Sequence, residues 1–274
     1  MQFTKMHGLG NDYVYVDGFT HNIQDPAALA VKVADRHFGI GGDGLILALP
    51  AEPGVDAHAR MRMFNADGSE SEMCGNGIRC VCKLIHDHQL GPAPTANPMR
   101  IQTGNGVLSL AYTCDAAGKV QQVTVDMGLP VLELPQIPVA KSNLDDRLAN
   151  FYFVSMGNPH AVVFVTDNAS LARPQQGAEL EHHPAFPNRM NIHFVRVKNR
   201  REVEVYHWER GSGATLACGT GACAVAVAGV QAGLTDRHIT AILPGGPLEL
   251  HWSETDGHVH MTGPATEVFT GLWP

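Results

Sequence analysis

The chain contains itself twice. Cys74-Gly75-Asn76-Gly77 returns 144 residues later as Cys218-Gly219-Thr220-Gly221, and at the same offset Phe64-Asn65 falls on Trp208-Glu209. Upstream, Gly10-Asn11-Asp12-Tyr13 matches Gly157-Asn158-Pro159-His160 at an offset of 147, the slip one loop insertion produces. Each copy reads strand, Gly-Asn turn, strands, polar turn, Cys-Gly-x-Gly, buried helix. Self-similarity in this order implies a duplicated domain whose two equivalent sites face each other across a cleft.

Local signals fill in the copies. Alternating or β-branched runs predict strands at 13–17, 44–49, 60–64, 106–112, 121–127, 151–155, 160–166, 191–197, 202–208, 239–243, 248–252 and 258–262. Residues 26–38 predict a helix, with Asp25 as N-cap, Pro26 at its first position and Gly39 beyond its end. Helices are also expected at 77–90, closed by Gly91-Pro92, and at 220–232, closed by Gly233. The last is apolar on every side and is therefore buried. Residues 130–150 read as a proline-punctuated loop, and 39–44, rich in glycine, as a tight turn. Strands outnumber helices without βαβ alternation, so a doubly wound parallel sheet is excluded.

Composition narrows the function classes. Of 274 residues, 44% are hydrophobic and 17% charged, and the net charge is −8. No basic face is available for nucleic acid or an anionic membrane surface. The longest apolar run, Ala222–Val230, is far short of the ~20 residues of a membrane helix. No signal-peptide core is visible at the start, and the six cysteines are too few and irregular for a secreted scaffold. A reduced, cytoplasmic protein is expected. No Cys/His set has zinc-ligand spacing, so no metal is expected.

A cysteine at a helix N-terminus sits among unpaired backbone N–H groups at the positive end of the helix dipole, which favours the thiolate. Glycines beside it let a ligand approach, and the same N–H groups can hold a carboxylate. Two such sites suit inversion at a carbon next to a carboxylate. One base removes the α-proton and a second acid returns one to the opposite face, because a single base would restore the original hand. Cys74 and Cys218 are the candidates; Cys80, Cys82, Cys114 and Cys223 read as structural. A thiol redox sensor would also use two cysteines, but has no need of paired glycine-rich N–H sites.

These residues resemble the signature of the diaminopimelate epimerase family: Asn65-Ala66-Asp67-Gly68-Ser69 with Cys74-Gly75-Asn76-Gly77-Ile78-Arg79, the opening Met6-His7-Gly8-Leu9-Gly10-Asn11-Asp12, the turn Met156-Gly157-Asn158-Pro159-His160, and Glu209-Arg210-Gly211 before Ala217-Cys218-Gly219-Thr220-Gly221. The resemblance covers essentially the whole chain. It implies an α+β fold of two pseudo-symmetric duplicated domains, each a curved mixed β-sheet wrapped around a central helix, with boundaries at 1–117 plus 263–274 and at 118–262. It implies interconversion of LL- and meso-2,6-diaminopimelate for lysine and cell-wall precursors, without pyridoxal phosphate or metal, by a homodimer. Cys74 and Cys218 are then the acid/base pair, with His160 and Glu209 setting their protonation. Asn11, Asn65, Asn158, Asn191, Glu209 and Arg210 would hold substrate through side chains, and Gly75, Asn76, Gly219 and Thr220 through backbone N–H groups. At position 44 this chain has Gly where some members carry Gln, so no side-chain contact carries over from there. Racemases of proline or hydroxyproline share the two Cys-Gly motifs but do not need an Arg and several Asn for a distal amino-acid head group.

Overall fold

The computed structural model describes residues 1–166 and 171–274. It divides into two units, Met1–Val125 with Thr262–Pro274, and Asp126–Met261. The first contains β1 (Gln2–Gly8), β2 (Asn11–Asp17), α1 (Pro26–Ala34), β3 (Gly44–Leu49), β4 (Ala59–Asn65), β5 (Glu70–Ser71), α2 (Gly75–Asp87), β6 (Met99–Thr103), β7 (Gly106–Cys114) and β8 (Val120–Asp126). The second repeats that order: β9 (Phe151–Ser155), β10 (Pro159–Phe164), α3 (Pro174–Glu181), β11 (Asn191–Asn199), β12 (Glu202–Glu209), β13 (Gly213–Thr215), α4 (Gly219–Gln231), β14 (His238–Leu243), β15 (Gly246–Trp252) and β16 (Val259–Pro264). A last strand, β17 (Thr266–Leu272), pairs antiparallel with β1.

Pairing repeats as faithfully as order. The antiparallel β1–β2 ladder corresponds to β9–β10, and the parallel β2–β3 ladder to β10–β11. The antiparallel β3–β4 and β4–β5 ladders correspond to β11–β12 and β12–β13. Parallel β4–β6 corresponds to β12–β14, and the hairpin β6–β7 to β14–β15. Even the register carries over: Ile46 faces Met63 as His193 faces His207, at the offsets read from the sequence.

Period-2 alternation gives each sheet two apolar faces. In the first unit Val14, Val16, Leu45, Leu47 and Phe64 pack with Ala30 and Val33 of α1, which leaves Tyr13, Tyr15 and Ile46 on the face toward α2. In the second, Ala161, Ile192 and Phe194 pack with Phe186 and Met190 on one face, and α4 lies on the other against β9, β10, β11, β14 and β15. The Ala/Val run of α4 is buried almost throughout, so small side chains allow the close approach of a curved sheet.

Every strand expected from the sequence is present, but several elements differ. Helix α1 stops at Ala34 rather than 38. Asp35 has φ −57° and ψ 121°, and its carboxylate accepts from the N–H groups of His37 and Phe38 at 2.7 and 2.8 Å. Such local side-chain bonds compete with helix continuation. The N–H groups of Ile40 and Gly41 then both return to Val33 O, turning 39–44 toward β2, where Asp43 N–H meets Asp12 O at 2.6 Å. Strand β1, the strand that the repeat places before the Gly-Asn turn, carries Lys5 within an apolar pattern. Lys5 is nonetheless buried, neutralised by Asp12 at 2.6 Å and donating to Gly41 O. Helix α3 and strands β5, β6, β13 and β17 were not expected, and the 130–150 loop contains short 3-10 turns.

The ends of each unit are tied together. Met1 N donates to Trp273 O and Trp273 N to Met1 O. In the second unit Met127 N donates to Val259 O and Val259 N to Gly128 O.

Candidate active site

Both motif cysteines are helix N-caps in extended backbone conformation, with φ/ψ of −139°/116° at Cys74 and −122°/108° at Cys218. Each sulfur accepts from the N–H three residues on, Gly77 at 3.3 Å and Gly221 at 3.4 Å. A side chain at either glycine would force a neighbour to shift. A Cβ on Gly77 would lie 2.7 Å from Ile46 Cδ1, and one on Gly221 would lie 2.5 Å from His193 Cε1 and 3.1 Å from the Cys218 sulfur.

In the first unit the Cys74 thiol donates to Asn11 Oδ1 at 3.3 Å. Asn11 cannot turn its amide freely, because Nδ2 donates to Asp43 at 2.7 Å. Asp43 is held by Arg36, which also binds Asp12. Burial opposes ionisation of Asp12, but hydrogen bonds from Arg36 and Lys5 outweigh it and keep its pKa below the ordinary value. The β1–β2 turn and the 39–44 turn thus serve to aim one amide oxygen at one sulfur. Asn76 is buried and its Oδ1 accepts from Arg79 at 3.1 Å. Arg79, fully buried, also binds Gly75 O and Pro264 O, fixing the first turn of α2. Asn65 ends β4 and donates to Ser69 Oγ at 3.0 Å.

Position 44 explains itself. A Cβ there would lie 2.0 Å from Phe64 O, so this backbone admits no side chain.

In the second unit the dipole of α4 does not win. Burial first, then the negative charge of Glu209, push Cys218 well above the usual thiol range, against the weaker opposing pull of Thr220 Oγ1 and Gly221 N–H. The expected lowering by a helix N-terminus is therefore reversed at this sulfur. Glu209 also accepts from Thr215 Oγ1. Asn191 is buried, with Nδ2 donating to Pro159 O at 2.8 Å and Oδ1 accepting from Arg210 N at 2.9 Å, so it stitches the 209–210 segment to the Asn158 turn. Glu181 supports the same segment from α3 through Trp208 Nε1 and Gly211 N. The Arg210 side chain is anchored only lightly, with Nη1 on Asn188 O at 3.2 Å, and is exposed.

His160 was expected beside the thiols. Its ring is fully buried, and both nitrogens are engaged elsewhere: Nε2 with Asn158 Oδ1 and Nδ1 with His193 Nε2, each at 2.9 Å. Burial, aided by His207 and Arg210, lowers its pKa to about 3, so it is a neutral imidazole. The sequence reading missed His193 and His207, which sit at inward positions of strands whose alternation otherwise signals only core. Among the described residues no group of His, Cys, Asp or Glu converges as a metal site would, and no helix is long and apolar enough to cross a membrane.

The diaminopimelate epimerase family model matches residues 3–133 and 152–268. A diaminopimelate epimerase of Acetivibrio thermocellus is 48% identical over 280 residues, covering 99% of this chain and 98% of that protein. One from Desulfovibrio desulfuricans is 48% identical over 286 residues, covering 99% and 97%. Among solved structures, a Bacillus anthracis phenazine biosynthesis protein of the PhzF family superposes with TM-score 0.72 at 16% identity, covering 99% of this chain and 98% of the other. A probable proline racemase from Agrobacterium radiobacter superposes with TM-score 0.69 at 16% identity, covering 100% and 92%. The remote structures share the fold; the near-half identity over the full length settles the kinship, and the chain belongs to the diaminopimelate epimerase family.

Proposed function

We propose that the protein epimerises LL-2,6-diaminopimelate to meso-diaminopimelate in the supply of lysine and peptidoglycan precursors, using Cys74 and Cys218 as the two proton-transfer groups without pyridoxal phosphate or metal. The observation that carries this is the pair of equivalent cysteine N-caps in a chain of this family. Both sulfurs rest as thiols: Cys74 donates to Asn11, and burial beside Glu209 keeps Cys218 protonated. Turnover begins when Glu209 takes the Cys218 proton. The thiolate then removes the α-hydrogen from one face, and the Cys74 thiol delivers its own proton to the other. Inversion leaves Cys74 as thiolate, Cys218 as thiol and Glu209 protonated; after product release Glu209 loses its proton to solvent and Cys74 takes one up, which restores the starting state. Backbone N–H groups at Gly75-Asn76 and Gly219-Thr220 would hold the reacting carboxylate, whose developing charge the helix N-termini stabilise. Asn11, Asn65, Asn158 and Arg210 would hold the remaining ammonium and carboxylate groups, with Asn191 supporting Arg210. By the same kinship we assign a cytoplasmic homodimer.

Incubation with LL-diaminopimelate in deuterated water tests the function. Meso product carrying deuterium at one Cα is expected, with no exchange into proline. Absence of deuterium at Cα would overturn the proposal.

Arg210 bears on substrate choice. The first copy has Ala66 at the equivalent position, so only one unit carries this fork, as expected if one end of the substrate reacts and the other is held. Arg210→Lys should raise KM for diaminopimelate about tenfold or more, since a point charge cannot replace a bidentate guanidinium, with a smaller effect on kcat. Unchanged steady-state kinetics would remove Arg210 from the substrate contacts.

A further inference from the structure

Three imidazoles form a file across the second sheet. His160, His193 and His207 occupy neighbouring strands β10, β11 and β12, all on the face toward α4, and all are fully buried. His160 Nδ1 meets His193 Nε2 at 2.9 Å, and His193 Nδ1 meets His207 Nδ1 at 2.7 Å. At the far end His207 Nε2 is buried with no hydrogen-bond partner among the described residues. The near end is Asn158 Oδ1.

This file is not demanded by the fold. The register places Tyr13, Ile46 and Met63 at the equivalent positions of the first unit, where one phenol and two apolar side chains fill the same space. Burying three imidazoles instead costs desolvation, as the lowered pKa values of all three record.

Hydrogen bonding fixes the order of protons along it. A proton on His207 Nε2 would be an orphaned buried N–H, so His207 carries it on Nδ1 toward His193. At the other end His160 accepts at Nδ1 and donates from Nε2 to Asn158 Oδ1. His193 must then donate from Nε2 and accept at Nδ1. Each neutral ring thereby selects the tautomer of the next. With its oxygen bound to His160, Asn158 turns Nδ2 away as a donor. We propose that His193 and His207 are positioning residues for substrate: they lock the His160 tautomer, and His160 in turn locks the Asn158 amide with its NH2 group directed to a substrate carboxylate. The role given to Asn158 rests on the proposed epimerase function; the tautomer order does not.

Long-range proton–nitrogen NMR spectra of the unaltered protein at neutral pH, assigned with single His variants, read the order directly. Nε2–H on His160 and His193 with Nδ1–H on His207 is expected. The reverse set, or mixed tautomers at any of the three, overturns the lock whether or not diaminopimelate is turned over. Two substitutions then separate positioning from packing. His193→Phe fills the space without either bond, so His160 should become a mixture of tautomers. KM for diaminopimelate should then rise about tenfold, the effect of one misdirected bond to a charged group, with kcat changed less than about twofold. His193→Gln keeps a donor near the Nε2 position and should recover most of the affinity. A purely structural role predicts the opposite ranking, with Phe harmless and Gln damaging, and that result would refute the proposal.

Discussion

Alanine at Cys74 or at Cys218 is expected to abolish epimerisation, and serine at either position to leave a small residue of activity. The serine variants carry the sharper information. Both cysteines are helix N-caps whose sulfurs make long bonds to Gly77 and Gly221 N–H, and serine is among the best capping residues. Helices α2 and α4 should therefore start at least as well in the serine variants, with melting temperatures equal to or above that of the unaltered protein. Alanine loses the cap, for which ~0.5–2 kcal/mol is typical when a hydroxyl cap is removed. Activity should follow chemistry instead of stability, because a hydroxyl is a far weaker base than a thiolate. A fall of roughly 10²–10⁴ in kcat is the scale of lost acid–base catalysis. Full activity in either alanine variant would end the two-base mechanism.

Acid should destabilise this protein unusually early. The folded pKa values of His160 and His207 lie near 3 because burial disfavours the charged rings, and His193 is also displaced well downward. In the unfolded chain all three titrate near ~6.5. Between those limits the unfolded state binds more protons, so stability rises with pH; it is complete above the unfolded value and is lost as pH falls toward 3. Each ring contributes a slope of ~1.36 kcal/mol per pH unit, and three contribute ~4. Against a total of ~5–15 kcal/mol for a domain, that is decisive within two or three units. Carboxylates with lowered pKa, such as Asp12 and Asp145, weaken the fold only below their unfolded values near ~4. The window from about pH 6.5 to about pH 4.5 thus isolates the histidines. Urea unfolding followed by tryptophan emission is suited to it, since Trp208 and Trp252 both lie in the second unit with them. Stability that stays flat across the window would show that the rings are charged or hydrated in solution.

What could be read beforehand follows from how locally each feature is encoded. The duplication, the cysteine caps and the burial of α4 are written in contiguous residues, so Cys74-Gly75 and Cys218-Gly219 announce themselves. The end of α1 depends on Asp35 preferring its own turn to a helix, a contest that periodicity does not register. Strand β1 was legible only through the repeat, because Lys5 looks exposed until Asp12 and Gly41 are folded onto it. The histidine file and the double tie made by Asn191 exist only through pairing between strands distant in sequence. Alternation marks these residues as inward, and nothing in it distinguishes a core imidazole from a link in a chain.

The tied ends let each of the two units close on itself. The second unit begins and finishes on hydrogen-bonded neighbours near Met127 and Val259, so it is a closed insertion that leaves and rejoins its host at adjacent points. The chain returns to its host to finish, since β17 comes after the second copy in sequence but seals the first unit against β1. One scaffold thus carries two chemistries at matching places, Tyr13, Ile46 and Met63 in the first copy and three imidazoles in the second.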